Sequence, residues 1–222
     1  MFRTSDEWII EYQQNNALWI HDGNPKRPHA LLTSGKHSNG FFNSRLVISD
    51  EVLLYDAASD LIELFDIQGG DIDEAQGVVG PQTGATKLAE FVSNQIMSFT
   101  RDDCFFASPA KILNDGKKSL VFHNYGKSLV RGSYVLLCED VITTGGSVDL
   151  TIEAVDSVGG ASMPFILTLV NRSGLTEISG REIISLIDRP MPIWTPEECP
   201  LCKQGSEAIR PKDNWDRLNA RY

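Results

Sequence analysis

Long apolar stretches and cysteine are both scarce in this sequence. No apolar run approaches the roughly 20 residues that a membrane-spanning helix requires. The four cysteines are too few and too scattered to form a disulfide framework. The first residues also lack the basic start, apolar stretch and small-residue cleavage site of a secretory signal. We therefore expect a soluble, cytoplasmic protein that does not bind membranes.

Basic residues are outnumbered too, since 20 lysines and arginines face 30 aspartates and glutamates, for a formal net charge of -10. This balance disfavours binding to nucleic acid, which requires a basic face that replaces counterions. Residues 108–131 reverse the sign locally, to a charge of +4. The charged residues of this cationic stretch are Lys111, Lys117, Lys118, Lys127 and Arg131, opposed by Asp115 alone. An anion could therefore dock there.

Cys199 and Cys202 form the sequence's single CxxC pair. A structural zinc site normally takes four ligands, and no second cysteine or histidine pair lies nearby along the chain. The pattern therefore disfavours zinc, and we expect a tight turn at these residues.

The apolar pattern predicts an α/β fold at a length that suits one principal domain. Helical spacing begins near Ser5 and again near Ser49, where it runs to about Phe65. Short apolar runs then alternate with helical segments, which indicates a central parallel sheet flanked by helices. The expected strands are 77–79, 104–107, 134–137, 164–170 and 183–187, with helices at 88–96 and 148–158. We expect an N-terminal helix and small hood at 1–48, the α/β core at 49–190, and a C-terminal extension at 191–222 that packs on the hood or the core.

The polar segment 139–147 lies between an expected buried strand and an expected helix, where open parallel sheets bind their ligands. Gly145 and Gly146 let the backbone approach a ligand closely, and the following helix presents unpaired N–H groups to an anion. Hydroxyl groups come from Thr143, Thr144 and Ser147. This combination predicts a phosphate site.

Glu139 and Asp140 stand beside that site, although carboxylates repel phosphate. Ribose hydroxyls are better partners, because carboxylates accept strong hydrogen bonds from a vicinal diol. The pair could also join a Mg²⁺ shell and stabilise positive charge that develops on a sugar ring. One segment would then hold a ribose together with its phosphate.

The ordered string from Val135 to Ser147 resembles the signature of type I phosphoribosyltransferases. The resemblance implies that family's fold, phosphoribosyl pyrophosphate as the donor, and Mg²⁺ bound through the donor with possible help from Glu139 and Asp140. It implies that Glu139 and Asp140 are catalytic. The donor-binding residues would be Glu139, Asp140, Val141, Thr143, Thr144, Gly145, Gly146 and Ser147.

Over most of its length the chain looks closest to the orotate phosphoribosyltransferases. Residues 32–38 with 41–43 look like that family's base-binding hood, and residues 80–85 resemble its pyrophosphate loop, with Thr83 and Gly84. Residues 108–131 occupy the place of its mobile catalytic loop, with Lys111 catalytic, which commonly reaches across a homodimer interface. The resemblance assigns the orotate base to Phe41, Phe42, Thr143 and Arg172.

Each of these assignments has a structural alternative. Phe41 and Phe42 alternate along a strand, so at least one of them is expected in the core. Arg172 could be a surface ion-pair partner, and Lys111 could be simply solvated.

Two other functions remain open. Several orotate enzymes carry lysines where this chain has Thr33 and Thr83, which leaves room for a phosphoribosyltransferase that uses another nucleobase. The altered catalytic loop leaves room for a regulator that senses phosphoribosyl pyrophosphate without turnover.

Overall fold

The computed structural model describes residues 2–114 and 116–222 of the chain. Asp115, the single acid of the cationic stretch, and the first residue of the expected hood therefore lie outside the described residues. The helices are α1 (Ser5–Gln14), α2 (Ser44–Ser49), α3 (Glu51–Ile67), α4 (Thr86–Thr100), α5 (Asn124–Val130), α6 (Gly146–Ser157), α7 (Pro200–Lys203) and α8 (Trp215–Asn219). The strands are β1 (Leu18–Ile20), β2 (His29–Leu31), β3 (His37–Ser38), β4 (Gly40–Phe42), β5 (Gly77–Val79), β6 (Phe105–Ala107), β7 (Ala110–Asn114), β8 (Lys117–Val121), β9 (Tyr134–Ile142), β10 (Ala161–Asn171), β11 (Glu177–Ile178), β12 (Arg181–Asp188), β13 (Ile193–Trp194) and β14 (Ala208–Ile209).

A six-stranded sheet in the order β11-β12-β10-β9-β5-β6 forms the centre of the fold. Its strands are parallel except for β11, which pairs antiparallel with β12 at one edge. Successive side chains of a strand face opposite sides, so Leu136 and Leu137 enter different apolar clusters. One cluster includes residues of α3 and α4, and the other includes residues of α6. The expected parallel sheet flanked by helices is confirmed.

A second sheet joins the N-terminal part of the chain to its C-terminal part. Its order is β13-β3-β2-β14, so two strands from residues 29–38 lie between two strands from residues 193–209. Side chains reinforce this pairing, because Trp19 Nε1 donates to the carbonyl of Leu218 at 2.9 Å and Trp215 Nε1 donates to that of Asn16 at 3.0 Å. The C-terminal segment is thus built into the hood.

Helix starts differ slightly from the expected ones. Thr4, rather than Ser5, caps α1, in a reciprocal capping box with Glu7. Asp50, rather than Ser49, caps α3 through the amides of Val52 and Leu53. The separate short helix α2 precedes α3 and lies almost entirely within the expected hood, so the end of the hood is more helical than the apolar pattern indicated.

Two segments near the expected site are more regular than predicted. Strand β9 continues to Ile142, because β10 is long enough to pair with it as far as Asn171. Glu139 and Asp140 therefore lie within the strand, and the connection to α6 is short. The cationic stretch, expected as a loop, contains the antiparallel hairpin β7-β8 followed by α5. Among the described residues, no helix is both long and apolar enough to cross a membrane.

Candidate active site

A cleft of about 380 Å³ opens at the carboxyl ends of β9 and β10, beneath the hood. Five parts of the chain line it: the hood, the β7-β8 hairpin, the end of β9 with the start of α6, the residue after β10, and the C-terminal segment. A second cleft of about 120 Å³ shares Lys111, Asp140 and Ser147 with the first and reaches Thr83 and Gly84. The fold therefore brings together residues that the sequence placed in separate motifs.

The connection from β9 to α6 has the geometry of an anion site. Gly145 has φ +84°, a left-handed conformation that favours glycine, and α6 begins at the next residue. A cavity of about 70 Å³ is lined by Glu139 and by every residue from Val141 to Val148. Thr143, Thr144 and Ser147 line the larger cleft too. Helix-terminal amides and three hydroxyl side chains thus surround one small space, which suits a phosphate group.

The two acids at the end of β9 lie in different environments. Glu139 is buried, and its Oε1 accepts the amide of Asp140 at 3.0 Å. Burial, with a smaller contribution from the charge of Asp140, raises the pKa of Glu139 well above its usual range, against a weaker opposing effect of Lys111. Asp140 is only half-buried and lines both clefts. Asp140 is therefore the more exposed of the two carboxylates, although Glu139 also lines the smaller cleft.

Thr83 and Gly84 approach Asp140 from the loop after β5. The peptide bond between Gln82 and Thr83 is cis. A Cβ built on Gly84 would lie 2.6 Å from Oδ2 of Asp140, closer than real Cβ contacts. Glycine at this position therefore leaves room for the carboxylate.

The cleft is cationic although the chain as a whole is acidic. The charged residues that line it, among those the structure describes, are Arg45, Lys111, Lys118, Arg172, Lys212 and Asp140. Lys111 lies on β7, not in an irregular loop, and its hairpin partner strand carries Lys118 into the same cleft. An excess of positive charge in a concave site favours a ligand with several negative charges.

Phe41 and Phe42 both line the cleft, but they differ in burial. Phe42 is 2% exposed and packs edge-on against Tyr12 with ring centroids 5.5 Å apart, so it belongs to the core. Phe41 is half-buried and lies 5.9 Å from the ring of Trp215. Phe41 is therefore the better candidate for contact with a planar ligand.

Arg172 is buried, so its interpretation as a surface ion-pair partner is wrong. Nη1 donates to the carbonyl of Gly40 at 3.0 Å and Nη2 to Ser38 Oγ at 2.6 Å, which aligns the guanidinium with the hood. Among the described residues no carboxylate pairs with it, and its Nε lacks a hydrogen-bond partner. Burial lowers the pKa of Arg172 to about 10, which leaves it charged at neutral pH.

Asn43 was missed as a site residue. Its side chain is 8% exposed, it lines the cleft, and its buried Oδ1 has no hydrogen-bond partner. Buried polar atoms are seldom left unpartnered, so Asn43 Oδ1 and Arg172 Nε both point to a ligand. The one signal in the sequence was an amide directly after the two phenylalanines of the hood.

Lys118 and Lys212 were missed as well. Lys118 was counted only in the net charge of its stretch, because its hairpin pairing was not anticipated. Lys212 follows Cys202 by ten residues in a segment that carried no recognisable site pattern, and only the pairing of β14 with β2 brings that segment to the hood.

The fold brings two histidines to the CxxC pair, although no histidine or cysteine pair lies near it along the chain. His29 on β2 and His37 on β3 place a ring nitrogen each beside Cys199 and Cys202. One ligand atom from each of the four residues lies within 4.8 Å of the other three. Folding supplies the second pair that the spacing along the chain did not reveal.

Known proteins resemble this chain over most of its length. The profile of a family described as the phosphoribosyl transferase domain matches residues 58–194, more than half of the chain. An orotate phosphoribosyltransferase of Desulforamulus reducens is 34% identical over 82% of this chain and 87% of that protein. An orotate phosphoribosyltransferase of Caldicellulosiruptor bescii is 31% identical over 93% of this chain and 96% of that protein.

Solved structures resemble the fold. The orotate phosphoribosyltransferase of Aeropyrum pernix superposes with a TM-score of 0.55 at 22% identity, over 81% of this chain and 92% of that one. That of Mycobacterium tuberculosis gives a TM-score of 0.57 at 19% identity, over 82% and 96% of the two chains. At these identities the likeness shows the fold alone.

Proposed function

This chain belongs to the phosphoribosyl transferase domain family and, within it, to the orotate phosphoribosyltransferases, and we propose that its cleft transfers phosphoribose from phosphoribosyl pyrophosphate to orotate. The products are orotidine monophosphate and pyrophosphate, in a step of pyrimidine nucleotide biosynthesis. The bond from ribose C1 to the pyrophosphate oxygen breaks while a ring nitrogen of orotate bonds to C1 and its proton is released.

The donor would be held by the end of β9 and the start of α6. The hydroxyls of Thr143, Thr144 and Ser147, with the amides around Gly145 and Gly146, suit the 5-phosphate. Asp140, which faces both clefts, suits the ribose hydroxyls and stabilises positive charge on the ring in the transition state. Glu139, which also lines the smaller cleft, would support Asp140 from its buried position at the end of β9.

The pyrophosphate would lie in the smaller cleft. Lys111 lines both clefts, next to Thr83 and Gly84, and Lys118 adds a second cation to the larger one. Lys111 supplies the ammonium group of the smaller cleft, where position 83 is a threonine. This group would stabilise the charge that grows on the leaving group.

Magnesium fits this site only in company with the donor. Asp140 is the more exposed carboxylate of the acid pair, and burial raises the pKa of Glu139, which makes Glu139 the weaker candidate for a metal ligand. Mg²⁺ demands a near-octahedral oxygen shell, which Asp140 alone cannot supply but diphosphate oxygens can. When bound with the donor, the ion would neutralise part of the negative charge of the diphosphate.

The proposal that orotate is the acceptor rests on the surroundings of Arg172. A buried guanidinium without a carboxylate partner is costly unless a ligand provides the negative charge. Orotate brings a carboxylate, and guanidinium binds carboxylates in a planar, bidentate way. Phe41 offers a face for the ring, Thr143 offers a hydroxyl, and Asn43 Oδ1 accepts a ring N–H. Adenine and uracil carry no anionic group for Arg172.

Further proposals concern organisation. Residues 1–48 would act as the base-binding hood, 49–190 as the catalytic core and 191–222 as an extension that completes the hood. A homodimer is proposed from the family resemblance. None of the four cysteines forms a disulfide, which suits a reducing compartment such as the cytoplasm.

A substrate panel tests the function. Purified protein is incubated with phosphoribosyl pyrophosphate, Mg²⁺ and either orotate, uracil or adenine, while base consumption and pyrophosphate release are followed together. Equal rates of both with orotate support the proposal. Turnover of another base alone overturns the acceptor, and tight donor binding without turnover of any base indicates a sensor.

A variant pair tests the donor assignment in the same assay. Asp140→Asn should reduce turnover by orders of magnitude without loss of fold, because the amide lacks the charge that stabilises the ribosyl cation. Asp156→Asn, at an exposed position of α6, is the control and should retain full activity.

A further inference from the structure

Four potential metal ligands converge outside the active-site cleft, in a cluster formed by His29, His37, Cys199 and Cys202. His29 Nε2 lies 3.0 Å from His37 Nδ1. The sulfur atoms of Cys199 and Cys202 each lie 3.5 Å from His29 Nε2, and Cys202 Sγ lies 3.3 Å from His37 Nδ1. The four side chains therefore direct their ligand atoms at one common point.

These separations match the edges of a tetrahedral zinc site. Zinc binds nitrogen at about 2.0–2.1 Å and sulfur at about 2.3 Å, which puts two nitrogens about 3.3 Å apart and a nitrogen and a sulfur about 3.6 Å apart. The four separations given above are within about 0.3 Å of these edges. Two histidines with two cysteines from a CxxC pair are also a common ligand set for structural zinc.

Ser206 fixes the tautomer that a metal needs. Its hydroxyl donates to the carbonyl of Arg27 at 2.6 Å, so its oxygen is left to accept from His29 Nδ1, 2.9 Å away. His29 then carries its proton on Nδ1 and presents the Nε2 lone pair to the cluster. A hydrogen bond from the outer nitrogen of a metal-bound histidine is the usual support for such a ligand.

We propose that His29, His37, Cys199 and Cys202 bind one structural Zn²⁺ ion. His29, His37 and Cys199 are buried, and Cys202 is half-buried, so four protein ligands close the site without a position for substrate. Two thiolates neutralise the two positive charges of the ion, which makes the buried site neutral. The ion cross-links the hood strands β2 and β3 to the start of α7 in the C-terminal segment.

This cross-link supports the active site from a distance. The turn between β2 and β3 carries Thr33 and Ser34 into the cleft, and the segment after β14 carries Lys212 into it. Zinc would hold the strands on which both depend. The role assigned to the ion is structural, and its presence does not depend on which base the cleft accepts.

Metal analysis of untagged, full-length protein tests the proposal. Elemental analysis of protein that was expressed in zinc-containing medium and then purified should give one Zn²⁺ per chain. Cobalt substituted for zinc should show the thiolate charge-transfer and intense d–d absorption of a tetrahedral site. Substoichiometric zinc that cannot be restored by added zinc would overturn the proposal, as would an octahedral cobalt spectrum.

Variants locate the ion. Cys202→Ala, at the most exposed ligand, should abolish stoichiometric zinc, whereas Cys104→Ala, at a buried cysteine outside the cluster, should keep one ion per chain. Ser206→Ala should weaken zinc affinity by about 10–100-fold, the loss typical of an outer-shell partner. Full zinc retention by Cys202→Ala would place the ion elsewhere and refute the site.

Thiol titration separates the proposal from a disulfide. After denaturation with a chelator and no reductant, the zinc protein should release four titratable thiols. Two missing thiols that reappear only after reduction would indicate a Cys199–Cys202 disulfide and overturn the metal site.

Discussion

Gly84 lies so close to Asp140 that a Cβ on the glycine would meet Oδ2 at 2.6 Å and Cγ at 2.7 Å. Gly84→Ala should therefore turn the carboxylate away from the cleft while the fold persists, since a side chain can move where backbone cannot. Misplacing a catalytic group by about 1 Å can cost about a hundredfold in rate, so we expect that order of loss in kcat/KM. Steady-state kinetics and a thermal melt measure the two effects.

A double-mutant cycle checks that Gly84 acts through Asp140. If it does, the double variant should lose little more activity than Asp140→Asn loses alone. Losses that simply multiply would mean that Gly84 contributes by another route, such as direct contact with the donor.

Arg172→Met should weaken orotate far more than phosphoribosyl pyrophosphate. The guanidinium is buried and aligned by Gly40 and Ser38, and loss of a buried charged partner costs about 2–5 kcal/mol. The KM for orotate should rise by at least about thirtyfold on that scale, with donor binding measured by calorimetry nearly unchanged.

Two controls accompany Arg172. Arg172→Lys should also be impaired, because a lysine cannot reproduce the bidentate contact. Arg181→Met, at the start of β12 where the arginine bonds Ser162 and Ser179, should leave the KM for orotate unaltered. Equal effects on donor and acceptor would contradict the assignment of Arg172 to the base.

Two substitutions of Asn43, one neutral and one negatively charged, test whether its side chain contacts orotate. Asn43→Ala removes one neutral hydrogen-bond acceptor and should weaken orotate by roughly 2–10-fold. Asn43→Asp keeps the shape but adds a negative charge where an anionic base binds, so its loss should be larger than that of the alanine variant. Orotate affinity equal to that of the original protein in Asn43→Asp would exclude contact with the base.

Glu139 should make the protein less stable as pH rises. Its pKa is raised in the folded state, so above the unfolded value of about 4.3 the folded chain binds more protons than the unfolded chain. The free energy of unfolding then falls with pH, by up to about 1.4 kcal/mol per unit, until pH passes the folded pKa. Glu139→Gln should flatten this decline in urea melts across that window, and so gain stability at neutral pH.

The same variant should lose activity if the carboxyl group supports the strand end. Glu153→Gln, at an exposed position of α6, is the control and should keep the original pH dependence of stability. An unchanged slope in Glu139→Gln would mean that the glutamate is not held protonated in the fold.

The donor loop could be predicted from sequence because its parts are contiguous. Thr143 to Ser147 follow a buried strand and open a helix, so local order alone brings them to the carboxyl edge of the sheet. Arg172 follows the next strand, and the same rule places it at that edge. Because β9 and β10 are parallel, the residues that follow them lie at the same edge of the sheet although they are far apart in the sequence.

The hairpin that carries Lys111 and Lys118 was missed although a local signal existed. The dipeptide Asp115-Gly116 between two runs with β-branched or apolar residues is typical of a two-residue hairpin turn. The resemblance to a family with a mobile catalytic loop at this place favoured a loop instead.

Only the cysteine half of the histidine–cysteine cluster had a local signal, the CxxC pair. His29 and Cys199 are 170 residues apart, and they meet because β13 and β14, which flank Cys199 in the sequence, pair with β3 and β2. These strands are very short, so periodicity could not reveal them. The spacing of residues along the sequence cannot reveal metal ligands that come together through the pairing of distant strands.

The four strands of the hood sheet are also synthesised at very different times. Its inner strands β2 and β3 leave the ribosome early, and their outer partners β13 and β14 follow only after the whole six-stranded sheet has been made. At about 5–20 residues per second, the 170 residues between His29 and Cys199 take on the order of ten to thirty seconds to translate. The inner hood strands therefore wait for their outer partners until the strands of the central sheet have been synthesised.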